Sequence, residues 1–216
     1  MEKIRDKLTE LSQQQKQKYN FDASAYNDPI AEKTDWTPLK AGGANFQTHK
    51  LNNRSSTILE YTLSKGGKIF LSLFAMIGIL VILVGLSPLI NGTVESIFAF
   101  IFGSVFTGVS YLMYWHMGKP VTFDMKMGLI WIGQKPKKFA GDIKTKNIVY
   151  INNIHALQIL SERVRGNKTT YYSYEINLVL NDGSRFNLVD HGNHAEILLD
   201  AQTLSTFLNK PLWNAS

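Results

Sequence analysis

The chain contains no cysteine. Disulfides, thiolate metal sites and cysteine nucleophiles are therefore excluded. A cysteine-free chain suits the cytoplasm or the cytoplasmic face of a membrane. It also lacks a phosphate cradle. No Gly-x-Gly-x-x-Gly follows a strand and no Walker loop is present, and Gly42-Gly43 reads as a turn. No arginine-rich run or recognition-helix pattern appears, which argues against a nucleic-acid partner. The polar stretch ahead of residue 69 does not follow the pattern of a signal peptide. Finally, nothing in residues 69–90 or 97–115 carries a charge. Ion and proton paths through a membrane are normally marked by intramembrane charges, so transport is not expected.

What is present begins with those two uncharged runs. Ile69–Ile90 has 22 residues and Ile97–Trp115 has 19. Either is long enough to cross a hydrocarbon layer of about 30 Å as a helix. The pair is expected to form a transmembrane hairpin over 69–116, the first helix acting as its own insertion signal. Lys50, Arg54, Lys65 and Lys68 precede the hairpin. Lys119, Lys126, Lys135, Lys137 and Lys138 follow it, and Asn91–Ser96 between the runs has no Lys or Arg. The positive-inside rule then puts both termini in the cytoplasm and the loop outside, and a bacterial inner membrane is the expected location. Small residues recur within the runs: Gly78 and Gly85 in the first, Ala99, Gly103 and Gly108 in the second. Such spacing lets two helices approach closely in lipid. Packing of the two on each other is the plain reading, and association with a second copy through this face is the other. Tyr111, Tyr114, Trp115 and His116 read as an interfacial aromatic belt.

The flanking segments carry the rest of the net charge of +6, with +3 before the hairpin and +4 after it against −1 within it. Residues 1–44 read as an amphipathic helix, with Ile4, Leu8 and Leu11 at helical spacing, followed by a loop. Trp36 in that loop needs an apolar home. Residues 45–66 read as a strand pair, with Leu59, Tyr61 and Leu63 alternating against Ile58, Glu60 and Thr62. Since a lone two-stranded ribbon is marginal, it is expected to pack on the soluble domain. Residues 119–216 read as that domain. Strands are expected at Val121–Asp124, 128–133, 148–151, 156–164, 171–180 and 185–189. Asp182-Gly183 supplies a tight hairpin turn. His194–Leu208 is expected to be a helix, with Ile197, Leu198, Ala201, Leu204, Phe207 and Leu208 as its apolar stripe and Asn209-Lys210-Pro211 as its stop.

The strand INNIHALQILSERVR, the hairpin YSYEINLVLNDGSRFNLVDH and the terminal helix ending DAQTLSTFLNKPLW, placed after a two-helix hairpin, carry a resemblance. The arrangement resembles bacterial pleckstrin-homology-like (PH-like) membrane proteins. It is also similar in architecture to the photosystem I assembly factor family, which has two membrane helices and then a β domain. The resemblance implies a membrane α-helical hairpin plus an α+β soluble domain, the latter a PH-like antiparallel sheet or barrel capped by a C-terminal helix. PH-like domains bind lipids, bind proteins or act as scaffolds, so the likeness gives no single function.

Side chains that could carry chemistry are few. His191 and His194 form a His-x-x-His pair with Asp190 and Glu196 nearby. The spacing straddles a loop and a helix start, whereas metal ligation wants a converging third donor. Asp182, Ser184 and His191 could be drawn as a triad, but two of them sit in a hairpin turn with no oxyanion hole in prospect. No catalytic, cofactor or metal site is expected, and the chain reads as a non-enzyme. Two surfaces read as candidates for binding. Lys135, Lys137, Lys138, Lys144 and Lys146 form a basic loop close to the membrane exit, suited to anionic lipid. Arg163, Arg165, Lys168, Tyr171 and Tyr172 surround the turn near Gly166 and suit a protein partner. The leading expectation is a membrane adaptor or scaffold that binds a protein partner; lipid sensing through the basic loop comes second, and an enzyme third.

Overall fold

A computed structural model describes residues 21–90, 94–136, 147–165 and 169–216. The expected N-terminal amphipathic helix and most of the basic loop lie outside these residues. The described chain is an α+β mixture that divides into two compact units: residues 47–148, and residues up to 46 together with 149–216.

The first unit holds the two long helices and a sheet. Strands β1 (His49–Ser55) and β2 (Ile58–Leu63) pair antiparallel, and β2 continues onto β3 (Val121–Asp124), which pairs with β4 (Leu129–Ile132). The strand pair ahead of the helices therefore joins the strands behind them in one sheet. The alternation in β2 is the cause: Leu59, Tyr61 and Leu63 are buried while their neighbours are half-covered. Tyr61 meets Phe123 edge-on at 6.2 Å between ring centroids. The β3–β4 turn closes through Asp124, whose Oδ1 accepts the Met127 amide at 3.0 Å, and through Gly128 at φ +67°. β5 (Ile148–Tyr150) spans the boundary between the units.

A five-residue helix, α1 (Pro29–Lys33), belongs to the second unit; α2 (Lys65–Ile90) and α3 (Val94–Met117) are the long pair. With 26 and 24 residues, α2 and α3 are long and apolar enough to cross a membrane. Their apolar side chains mostly face outward; Ile69, Val84, Phe98 and Tyr111 are each about 70% exposed. Gly78 and Gly103 sit where the helices touch. A methyl on Gly78 would fall on Thr107, and one on Gly103 would meet Gly78 O at 2.7 Å. Phe74 and Phe106 stack across the same seam at 5.8 Å. Gly85 is buried and Ala99 half-buried, whereas Gly108 opens to a space with no neighbour within 4 Å.

The second unit is built on a four-stranded sheet in the order β8-β7-β6-β9. Here β6 (Ile154–Arg165), β7 (Thr170–Leu180) and β8 (Arg185–His191) are antiparallel, and β9 (Leu212–Ala215) adds parallel to β6. Helix α4 (His194–Leu208) starts on Asn193, whose side chain accepts the Glu196 amide, and ends on Asn209 in the left-handed region at φ +52°. Ile197, Ala201, Leu204 and Leu208 are its buried stripe. β9 is an addition to the expected pattern. Four residues after Pro211 carry too little periodicity to announce a strand.

Candidate functional site

The register of β6 and β7 gives the sheet two faces. Leu157 and Ile159 share one with Leu178 and Ile176, all buried on the side of α4. Farther along this face, Arg163 lies opposite Tyr172 and Arg165 opposite Thr170. Arg163 and Arg165 are exposed, and Tyr172 is 52% exposed. At its start α4 reaches only as far as Tyr174, on which His194 stacks at 4.6 Å. The hairpin thus overhangs the helix and carries a small basic and aromatic patch. Among the described residues neither arginine is paired with a carboxylate. Lys168 lies outside the described residues. Tyr171 points the other way, because neighbours in a strand alternate. Its hydroxyl donates to Gly43 O at 2.9 Å. The structure therefore separates the two adjacent tyrosines, one anchoring the fold and one presented outward.

The opposite face is covered by the chain's own residues 21–46. At one end lies an aromatic and small-residue core of Ala31, Trp36, Ala156, Leu160, Val179 and Trp213. Trp36 finds its apolar home there, 4.3 Å from Phe21, 5.6 Å from Tyr26 and 5.8 Å from Trp213 between centroids. The Tyr26 hydroxyl accepts from Asn214 N at 2.6 Å and donates to Asn214 O at 3.0 Å, fastening the segment to β9. Asp28 caps α1 by accepting from Ile30 N at 2.8 Å and pairs with His155 at 2.7 Å.

Beyond Trp36 the segment becomes an irregular strap, and the sheet beneath it becomes polar. Gln158 donates to Asp35 O at 3.2 Å, and Arg185 donates to Thr37 O at 2.7 Å. The Glu175 carboxylate accepts Leu39 N with both oxygens, at 2.9 and 3.1 Å, and Glu162 accepts Gly42 N at 2.9 Å. All of these contacts are to main-chain atoms of the strap. Behind them Asn177 donates to Glu175 at 2.6 Å, and Asn187 donates to Asp190 at 2.8 Å and to Asn177 at 3.2 Å. Burial raises the Glu175 carboxyl above its ordinary range. Hydrogen bonds from Asn177 and Leu39 oppose this rise, and the nearby Asp190 adds to it. Burial pushes the Arg185 guanidinium down, against the pull of Asp35 and Glu175. Two glycines permit the close approach. A methyl on Gly43 would fall on Ser173 Oγ, and one on Gly192 would fall on the Asn45 backbone.

The remaining candidates are dispersed. His191 is fully buried on β8 with Nδ1 accepting the Asn193 amide at 3.3 Å. His194 lies on α4, 2.9 Å from Ser216 Oγ. The two therefore do not converge, and among the described residues no group of three His, Asp or Glu is placed to hold a metal ion. Ser184 donates both its amide and its hydroxyl to Asp182, at 2.9 and 2.6 Å, as turn residues do. These bonds hold the exposed Asp182 carboxyl below its usual range. Lys135 is exposed beyond β4, while Lys137, Lys138, Lys144 and Lys146 lie outside the described residues. Comparison with family models, with curated proteins and with solved structures finds no match to this chain.

Proposed function

We propose that the chain is a bacterial inner-membrane adaptor. Its two long helices anchor it, both termini are cytoplasmic, and a PH-like β domain binds a protein partner, within an assembly of membrane components. The outward-facing apolar side chains of α2 and α3 support the anchor, since a soluble core helix would bury them. A sheet followed by a closing helix supports the PH-like reading.

The observation that carries the adaptor reading is the overhang of β6 and β7. Arg163, Arg165 and Tyr172 are presented together on one face beyond the end of α4. Arginine and tyrosine are enriched where proteins dock. Two guanidinium groups with no carboxylate partner among the described residues, beside an exposed ring, suit an acidic segment of a partner. The test is affinity purification of the full chain from its own membranes in mild detergent. A stoichiometric partner is expected with the wild type, and it should be lost from an Arg163→Glu, Arg165→Glu variant that still purifies as a folded protein. A chain that purifies alone, or a partner retained by the variant, would sink the reading.

A further inference from the structure

The α2–α3 unit holds an open cleft of about 670 Å³, which lies where α3 ends. Tyr111, Tyr114 and Trp115 form its helical wall, Lys119 lines it just beyond the helix, and Gly133 and Gln134 line the side after β4. The first three are all more than half exposed, so the rings that wall the cleft are largely uncovered. At about 1.5 Å per residue, Tyr111 and Trp115 differ by roughly 6 Å in depth along the helix. The cleft is thus apolar toward the span and polar toward its end.

Lys119 decides what chemistry fits. It is half-buried, and its Nζ stands 4.0 Å from the centroid of the Trp115 ring. Among the described residues it has no carboxylate partner. Gly133, at φ +86°, leaves the lysine stem uncovered; a β-carbon there would lie 3.9 Å from Lys119 Cγ and Cδ. A partly desolvated ammonium without a counter-ion attracts an anion. The face of Trp115, which would otherwise hold a quaternary ammonium headgroup, is already taken by the chain's own cation. A choline headgroup would meet an occupied ring and a like charge.

We infer that this cleft is a binding site for a single anionic phospholipid without a cationic headgroup. Its phosphate sits at Lys119, and its glycerol and upper acyl carbons lie along Tyr111, Tyr114 and Trp115. The inference rests on the membrane anchoring proposed above and is independent of the protein partner. It also differs from general attraction to a charged surface, because it depends on one lysine and its neighbours.

The test is native mass spectrometry of the full chain, released from micelles doped with equal phosphatidylglycerol and phosphatidylcholine. The wild type is expected to retain one phosphatidylglycerol in preference to phosphatidylcholine by about fivefold, the effect of one well-placed lysine. Lys119→Met should bring the ratio near one, and Lys119→Arg should restore it. Lys65→Met, at the start of α2 and outside the cleft, should leave it unchanged. Equal retention of the two lipids by the wild type overturns the site. So does a preference that survives Lys119→Met, or one that falls equally with Lys65→Met. Alkaline carbonate extraction separates the two levels of failure. A chain washed into the soluble fraction removes the membrane anchor itself, whereas a chain that stays in the membrane without lipid preference removes only the cleft.

Discussion

The two faces of the β6–β7 sheet are buried by different means, and their composition follows. One lies under α4, the other under the strap of residues 35–46. A helix satisfies its own backbone, so β6 and β7 beneath α4 can present apolar side chains: Leu157, Ile159, Ile176 and Leu178. An irregular segment cannot do this, and its buried amides and carbonyls need partners. The sheet beneath the strap supplies them from Gln158, Glu162, Glu175 and Arg185. A polar sheet face is thus not always a solvent face. It can be the complement of a loop.

This contrast can be broken most forcefully at Trp213, which closes the aromatic end of the strap face and is 2% exposed. Trp213→Ala should cost about 3–5 kcal/mol of unfolding free energy, measured by denaturant titration. Limited proteolysis should then cut first between residues 35 and 46. Leu204→Ala, in the buried stripe of α4, should cost a comparable amount without exposing the strap. Cleavage at the same site in both variants would show that the two faces are not separate layers.

A second change sharpens the electrostatic side of the comparison. Because burial raises the Glu175 carboxyl, the folded chain releases this proton at a higher pH than the unfolded chain does. The stability tied to this group is fully present below the ordinary glutamate value and is lost as pH rises through the raised one. Glu175→Gln keeps an oxygen for Leu39 N and removes the charge. Its stability relative to the wild type should therefore increase from about pH 4 upward and then level off above the raised value. A difference that does not vary with pH would mean that this carboxyl ionises as it does in water.

The smallest of the three effects concerns the entry to the strap. Asp28 caps α1 and pairs with His155. Its carboxyl lies below the usual range: burial works against this, and the bonds from His155 and the Ile30 amide outweigh it. Asp28→Ala should cost about 1 kcal/mol, the ordinary value of a helix cap, read as a shift in the denaturation midpoint. A cost near zero would place the hold on the strap entirely in the aromatic cluster and the polar network.

The sequence announced the apolar side of this molecule well. Alternation in β2 and in Tyr172–Leu180 marks strands, the stripe from Ile197 to Leu208 marks a helix, and Trp36 in a loop marks a need for cover. It was silent on the strap. Ser173, Glu175 and Asn177 at every second position look like the wet side of a strand. Nothing local to them reveals that residues more than 130 positions earlier lie on top. β9 was hidden for a related reason, since a short strand is defined by its pairing with β6 rather than by its own pattern. The overhang was half legible: the cluster of Arg163, Arg165, Tyr171 and Tyr172 stood out, but only the register shows that Tyr171 faces away from the others. The lysine-rich loop drew attention by its density, whereas Lys119, a single lysine beside the end of α3, is notable only once Trp115 and Gly133 are placed around it.

The unit that carries the strap is discontinuous, made of residues up to 46 and residues 149–216, with 47–148 lying between them in the chain. A ribosome adds about 5–20 residues per second, so roughly 5–20 s of synthesis separates its two parts. Throughout that interval Trp36 and Tyr26 exist without Trp213 and Asn214, their partners. The long apolar helices emerge in the same interval. Residues 21–46 must therefore wait, unsheltered, for the last strand to be made.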